Sequence, residues 1–144
     1  MGQYVDLNIV LIDDDEVDVM IITNAFESYG FLNPIYVASD GVEALEMLRG
    51  EGDREKIPQP YLILLDLNMP RMNGLEFLEE LRGDEDLRDS IVFMLTTSED
   101  DQDRTEAYSQ YIAGYIVKSE TGENFINLIK LIENLKMVIR FPQK

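Results

Sequence analysis

The chain has 144 residues, which is enough for one domain with a buried core, and its formal net charge of -17 argues against nucleic acid and anionic membranes as partners. It contains no cysteine and no histidine, which excludes disulfides, thiolate and imidazole metal sites, and mechanisms that need a histidine base. Because no apolar run is long enough to span a membrane and residues 1–6 are too short and too polar for a signal peptide, we predict a cytoplasmic protein.

Five short apolar runs have the length and composition of buried strands. They span residues 8–12, 35–38, 61–65, 91–95 and 115–117. The third run, Y-L-I-L-L, shows no polar alternation, and a continuous apolar run is typical of a strand that is buried on both faces of a parallel sheet.

Each run is followed by apolar residues at helical spacing, so five helices are predicted. The first ends at Gly30, and the second follows a turn at Asp40 and Gly41. The residues expected to face inward are, in helix order, Val19, Ile22, Phe26 and Tyr29; Val42, Leu45 and Leu48; Leu75, Leu78 and Leu81; Ala107, Tyr108 and Tyr111; and Phe125, Leu128, Ile129, Ile132 and Leu135. Alternating strands and helices predict an α/β fold, a doubly wound five-stranded parallel sheet with helices on both faces. With no linker or second core visible, residues 1–144 are expected to form one domain without an output domain.

Polar residues stand directly after four of the five runs. Asp13, Asp14 and Asp15 follow the first run, Asp66 the third, Thr96, Thr97 and Ser98 the fourth, and Lys118 the fifth. In a parallel α/β sheet the functional residues lie at the carboxyl ends of the strands, so these groups are expected to meet at one edge. We interpret Asp15 separately, as the N-cap of the first helix.

This set of residue types indicates phosphoryl-transfer chemistry. Asp13, Asp14 and Asp66 would repel one another without a cation, and an all-oxygen site suits Mg2+. A carboxylate can act as a nucleophile and form an aspartyl-phosphate. The metal, Lys118 and Thr96 would then stabilise the three phosphoryl oxygens.

Four segments, V-L-I-D-D-D, L-L-D-L-N-M-P-R-M-N-G, F-M-L-T-T and G-Y-I-V-K, occur in this order. Together they resemble the receiver domain of response regulators, the CheY-like family, and the resemblance covers nearly the whole chain. It implies a flavodoxin-like (βα)5 fold with strand order 2-1-3-4-5. It also implies a role for each matching residue. For the metal, Asp14 would be a direct Mg2+ ligand, Asp13 a ligand largely through water, and Asn68 a ligand through its backbone carbonyl. For the phosphoryl group and the switch, Asp66 would be the phosphoacceptor, Lys118 the phosphate-binding lysine, Thr96 the switch hydroxyl, and Tyr115 either an aromatic switch or an ordinary core tyrosine.

Two positions depart from the usual family pattern. Ser119 stands where the family usually has a proline in a cis bond, so the Lys118–Ser119 bond is either trans or held cis at a cost of about 3 kcal/mol. Thr97 stands where a small residue is common. The long loop over residues 50–60 and the Lys-Ser pair resemble the stand-alone regulators related to the partners of cyanobacterial phytochromes.

The resemblance implies a two-component switch that accepts a phosphoryl group from a histidine kinase and then acts through protein contacts. The downstream target would be another protein or a phosphotransfer protein. Such a domain is not an enzyme, beyond catalysing its own phosphorylation and dephosphorylation. The alternative is an Mg2+-dependent phosphatase with an aspartate nucleophile at the end of the first strand, where Asp15 could mimic its second acid. A flavodoxin-like electron carrier is a third hypothesis, but the chain lacks a Ser/Thr/Gly-rich phosphate loop after the first strand.

The last helix carries more apolar residues than one inward face needs. Ile126, Leu131, Met137, Val138 and Ile139 lie outside or at the margin of its predicted inward stripe. We therefore expect a homodimer through helix 4, strand 5 and helix 5, or packing of these residues under the tail that contains Phe141 and Pro142.

Overall fold

The computed structural model describes residues 7–31, 33–118 and 123–138, without the side chains of residues 125 and 135–138. Five strands alternate with five helices along these residues. They are β1 (Asn8–Ile12), α1 (Glu16–Ser28), β2 (Ile35–Ala38), α2 (Gly41–Arg49), β3 (Tyr61–Leu65), α3 (Gly74–Gly83), β4 (Ile91–Thr96), α4 (Asp101–Ser109), β5 (Gly114–Val117) and α5 (Glu123–Val138).

The five strands form one parallel sheet in the order β2-β1-β3-β4-β5. This confirms both the predicted fold class and the strand order implied by the family resemblance. Side chains alternate between the two faces of each strand. In β1, Val10 and Ile12 join the core under α2, α3 and α4, whereas Ile9 and Leu11 join the core under α1 and α5. The sheet is therefore covered on both faces, which explains why its central strands lack polar alternation.

The strand boundaries agree with the prediction to within one residue. β4 continues to Thr96 and β5 begins at Gly114, each one residue beyond the predicted run. Their pairing explains both extensions, because Phe93 lies opposite Gly114 and Thr96 lies opposite Val117. Thr96 is therefore a buried strand residue rather than the first residue of a loop.

Three tyrosines predicted to face inward are exposed, so those predictions were wrong. Tyr29 is the C-cap of α1, where the helix has already ended, and Gly30 then turns the chain with a φ of 77°. Tyr108 is 48% exposed and Tyr111 is 81% exposed. Because α4 stops at Ser109, Tyr111 lies beyond the helix that was expected to direct it inward.

The other inward faces largely agree with the structure. α5 buries Leu128, Ile129 and Ile132 as predicted, whereas the side chains of Phe125 and Leu135 lie outside the described residues. The predicted N-cap of α1 is confirmed, because the Asp15 carboxylate accepts hydrogen bonds from two backbone amides of the first turn. Among the described residues, no helix combines the length and apolar composition needed to cross a membrane.

Candidate functional site

The polar residues predicted to meet at the carboxyl edge of the sheet do so. Asp13 follows β1, Asp66 follows β3, Thr96 ends β4 and Lys118 follows β5. All five strands run in the same direction, so these four positions share one edge. Asp13, Asp66 and Thr96 are buried, and the side chain of Lys118 is almost entirely enclosed.

Lys118 is the positive centre of this edge. Its Nζ lies 2.8 Å from an Asp13 carboxylate oxygen, 2.8 Å from one of Asp18 and 3.7 Å from one of Asp66. The ammonium therefore donates to Asp13 and Asp18, and it faces Asp66 without a direct hydrogen bond.

Asp18 is a member of the site that sequence reasoning missed. It lies in the first turn of α1, and helical side chains tilt back towards the helix N-terminus. Its carboxylate therefore reaches the Lys118 ammonium, which follows β5. The sequence did contain a signal for Asp18, which lies in the first turn of a helix that begins directly after the acidic end of a strand. That signal is weak, because acidic residues are common in the first turn of any helix.

Burial dominates the electrostatics of the two enclosed carboxylates. It raises the pKa of Asp66 to about 6 from an ordinary value of 3.8; Asp13 adds to the increase, whereas Lys118 and a hydrogen bond with Thr96 oppose it. Burial also raises the pKa of Asp13, against the opposing hydrogen bond from Lys118. For Lys118, burial lowers the pKa, but the hydrogen bonds to Asp13 and Asp18 outweigh it and leave that pKa raised. The site thus holds an excess of carboxylates over cations in a poorly solvated place.

Three of these carboxylates are arranged so that one ion can contact them all. One oxygen from each of Asp13, Asp14 and Asp66 lies within 4.8 Å of the others. Asp14 is exposed, which leaves the cluster open to solvent. A group of carboxylate oxygens with room for water is the ligand set of a hard divalent cation. The positive charge would also offset the repulsion that raises the pKa of Asp66.

Thr96 and Tyr115 are linked through the loop that follows β4. The Thr96 hydroxyl oxygen accepts a hydrogen bond of 3.2 Å from the Ser98 amide. The Tyr115 hydroxyl donates to the Ser98 carbonyl at 3.0 Å, and the Tyr115 amide donates to the Tyr108 hydroxyl at 3.2 Å. Tyr115 is half-buried, and its two alternative roles stay predictions. A displacement of Thr96 would therefore be transmitted to Tyr115 through Ser98, which is hydrogen-bonded to both.

The loop after Asp66 approaches the site closely. The Leu67 amide donates to an Asp66 carboxylate oxygen at 2.8 Å, and the Gly74 amide donates to the Leu67 carbonyl at 2.8 Å. Any side chain at Gly74 would collide with the Asp66 carbonyl, so only glycine allows α3 to begin here. Asn68, the predicted carbonyl ligand, lies exposed within this loop. The predicted departure at Ser119 lies outside the described residues.

The family model of the response regulator receiver domain matches residues 9–130. The chain belongs to the response regulator receiver domain family. Its two-component signalling role follows from that membership, and receiver domains are signalling proteins that receive phosphoryl groups from histidine kinases. The match includes all five strands except Asn8, the first residue of β1, and all the site residues described above.

Individual receiver proteins are similar over most of their length. Response regulator Rcp1 of Synechocystis sp. is 30% identical over 126 residues, which cover 88% of this chain and 86% of that protein. Chemotaxis protein CheY-3 of Vibrio cholerae is 33% identical over 131 residues, covering 90% of this chain and 95% of that protein. Similarity to both the response regulator Rcp1 and a chemotaxis regulator agrees with the fold and general function predicted from the motifs.

Solved structures of response regulators are similar to this chain in fold as well as in sequence. The phosphorylated cyanobacterial phytochrome response regulator RcpA has a TM-score of 0.84 and 31% identity, covering 94% of this chain and 98% of that chain. The Mn(2+)-bound form of Rcp1 has a TM-score of 0.81 and 29% identity, with coverage of 94% and 98%. The likeness to stand-alone phytochrome regulators inferred from the 50–60 loop and the Lys-Ser pair is therefore confirmed.

Proposed function

We propose that Asp66 accepts a phosphoryl group from a cognate histidine kinase, and that the modified receiver domain then changes its protein contacts in the cytoplasm. The observation that carries this proposal is the environment of Asp66: a buried carboxylate beside two other acids, with the Lys118 ammonium 3.7 Å away. In the transfer, an Asp66 carboxylate oxygen forms the new bond to phosphorus. The bond between phosphorus and the donor histidine nitrogen breaks, and that nitrogen keeps the electron pair.

We further propose that the divalent cation is Mg2+, held by the carboxylates of Asp13, Asp14 and Asp66 and by the backbone carbonyl of Asn68. When bound, Mg2+ would neutralise negative charge on the phosphoryl oxygens. The absence of histidine and cysteine from the chain supports a hard, oxygen-preferring ion over softer metals. Lys118 would supply a second positive charge, and Thr96 a hydroxyl donor, to the remaining phosphoryl oxygens.

The signal would leave through the surface formed by α4, β5 and α5. Tyr108 and Tyr111 are exposed on or next to α4, and Leu131 is 41% exposed on α5. The Thr96 hydroxyl accepts from the Ser98 amide, and the Tyr115 hydroxyl donates to the Ser98 carbonyl. Recruitment of the Thr96 hydroxyl by a phosphoryl group would therefore disturb that surface. We propose that this surface binds either a downstream protein or a second copy of the chain. Met137, Val138 and Ile139, which also prompted the pairing hypothesis, have no described side chains.

Acetyl phosphate and Mg2+ provide the direct test. We expect a labile phosphoryl adduct that maps to Asp66 by mass spectrometry and is lost in Asp66→Asn. Asp15→Asn is the matched control, because asparagine also caps helices and should keep the adduct. An adduct on Asp13, together with sustained hydrolysis of a phosphomonoester, would instead identify the phosphatase alternative.

A further inference from the structure

A third buried carboxylate, that of Asp40, lies at the same edge of the sheet, outside the metal cluster. Asp40 follows β2, and its side chain is only 6% exposed. The Arg71 guanidinium donates to both of its oxygens, from Nε at 2.7 Å and from Nη2 at 3.1 Å. The Glu43 amide also donates to Asp40 at 2.8 Å, because Asp40 is the N-cap of α2. Burial alone would raise the pKa of Asp40, but the hydrogen bonds from Arg71 and Glu43 outweigh it and leave that pKa lowered.

Arg71 adopts a backbone conformation that is unfavourable for its residue type. Its φ of 59° lies in the left-handed region, which is unfavourable for a residue other than glycine. The next residue, Met72, is joined to the start of α2, because the Gly41 amide donates to the Met72 carbonyl at 3.1 Å. A Cβ at Gly41 would lie 2.7 Å from Met72 Cγ, so this approach requires glycine. Residues 40 and 41 are thus joined to residues 71 and 72, a pairing that we call the 40–71 clasp.

The clasp fixes one end of the loop that follows Asp66. The other end is held by the hydrogen bond from the Gly74 amide to the Leu67 carbonyl. Asn68 lies between these two attachments, and its own side chain is exposed. The position of its backbone carbonyl therefore depends on the attachments at either end of the loop.

A stabilising role alone does not explain the clasp well. Arg71 is 60% exposed, and ion pairs with an exposed partner contribute little to stability. That gain is offset by the backbone strain at Arg71. A bidentate guanidinium–carboxylate pair does, however, fix the relative orientation of the two segments it joins.

We propose that Asp40 and Arg71 are positioning residues that hold the loop of Asn68 in the geometry required for Mg2+ binding. This inference rests on the proposed function, since it assigns a task to the loop of the same site. Neither residue belongs to the carboxylate cluster proposed to hold the cation. Their effect is to preorganise a backbone ligand before the ion arrives.

The test compares Asp40→Asn, Arg71→Gln and the double variant with the wild-type chain. Asparagine keeps the N-cap of α2 while removing the charge that holds Arg71. Arg54→Gln is the matched control, because Arg54 pairs with two acids of α2, Glu43 at 3.0 Å and Glu46 at 3.8 Å, and not with Asp40. Mg2+ affinity is measured by calorimetry, and amide hydrogen exchange over residues 67–73 is measured in the metal-free protein.

We expect each single variant to weaken Mg2+ binding about tenfold, the usual effect of removing a group that orients a metal ligand. The double variant should be no worse than either single one, and the loop amides should exchange faster in all three. Arg54→Gln should match the wild type in both measurements. A lower melting temperature with unchanged Mg2+ affinity and unchanged loop exchange would show that the clasp only stabilises the fold, and would overturn the inference.

Asp14→Asn separates this inference from the function on which it rests. If Asp14→Asn loses Mg2+ affinity while Asp40→Asn and Arg71→Gln keep it, the metal site stands and the positioning role is refuted. If Asp14→Asn binds Mg2+ like the wild type, the proposed metal site itself fails, and the positioning role fails with it.

Discussion

Removing the acceptor carboxylate should make the metal-free protein more stable at neutral pH. The pKa of Asp66 is raised from 3.8 to about 6, chiefly by burial. A difference of roughly 2.2 pKa units corresponds to about 3 kcal/mol of unfolding free energy at about 1.36 kcal/mol per unit. Asp66→Asn replaces the ionised group with a neutral one of similar shape, so we expect a gain approaching 3 kcal/mol at pH 7.5.

The sign of the pH dependence follows from the raised pKa. Between about pH 4 and pH 6 the unfolded chain has already released the Asp66 proton while the folded protein still holds it. The wild type therefore loses this contribution to stability as the pH rises through that window, and the asparagine variant does not. The advantage of Asp66→Asn should shrink to about 1 kcal/mol at pH 4.5.

Urea unfolding followed by circular dichroism, with a chelator present, measures both quantities. Asp53→Asn is the matched control, because Asp53 is exposed in the loop between α2 and β3, at the opposite edge of the sheet. It should change stability little at either pH. The reasoning would be refuted if Asp66→Asn were no more stable than the wild type at pH 7.5, or if its gain in stability were independent of pH. Either result would show that burial does not raise the pKa of Asp66.

Three further outcomes test the remaining parts of the site and its output surface. Mg2+ should raise the melting temperature, by an amount equivalent to about 2.7 kcal/mol when its concentration is one hundred times the dissociation constant. Asp14→Asn should lose most of that rise, and an equal rise in the wild type and the variant would exclude the cluster as the metal site. Thr97→Ala should hydrolyse its aspartyl-phosphate faster, because the branched side chain next to Thr96 hinders the attacking water; an unchanged dephosphorylation rate would show that this side chain points away. Leu131→Glu should prevent dimerisation in sedimentation experiments with beryllofluoride, whereas Met20→Glu on α1 should not; a wild type that is monomeric with and without the analogue would remove the pairing proposal.

Local pattern was sufficient for most of the fold. The short apolar runs predicted every strand to within one residue. In the central strand β3, burial on both faces leaves no place for polar alternation. Asp15 was recognisable as an N-cap because its partners are the next amides along the chain. Asp13, Asp66 and Lys118 could be assigned to one edge because each directly follows a strand. The strand order, in contrast, came from the family resemblance and not from periodicity.

The tertiary structure alone decided which of these groups touch. Lys118 meets Asp13 and Asp18 across 105 and 100 residues of sequence, and Arg71 meets Asp40 across 31. No local pattern encodes such pairs, because they depend on which strands are neighbours and where each helix begins. The exposure of Tyr111 has the same origin, since α4 ends two residues before it. The sequence by itself determined the elements and the kinds of group at their ends, because these depend on near neighbours along the chain. The sheet order and the loop attachments determined the contacts, because only packing brings distant residues together.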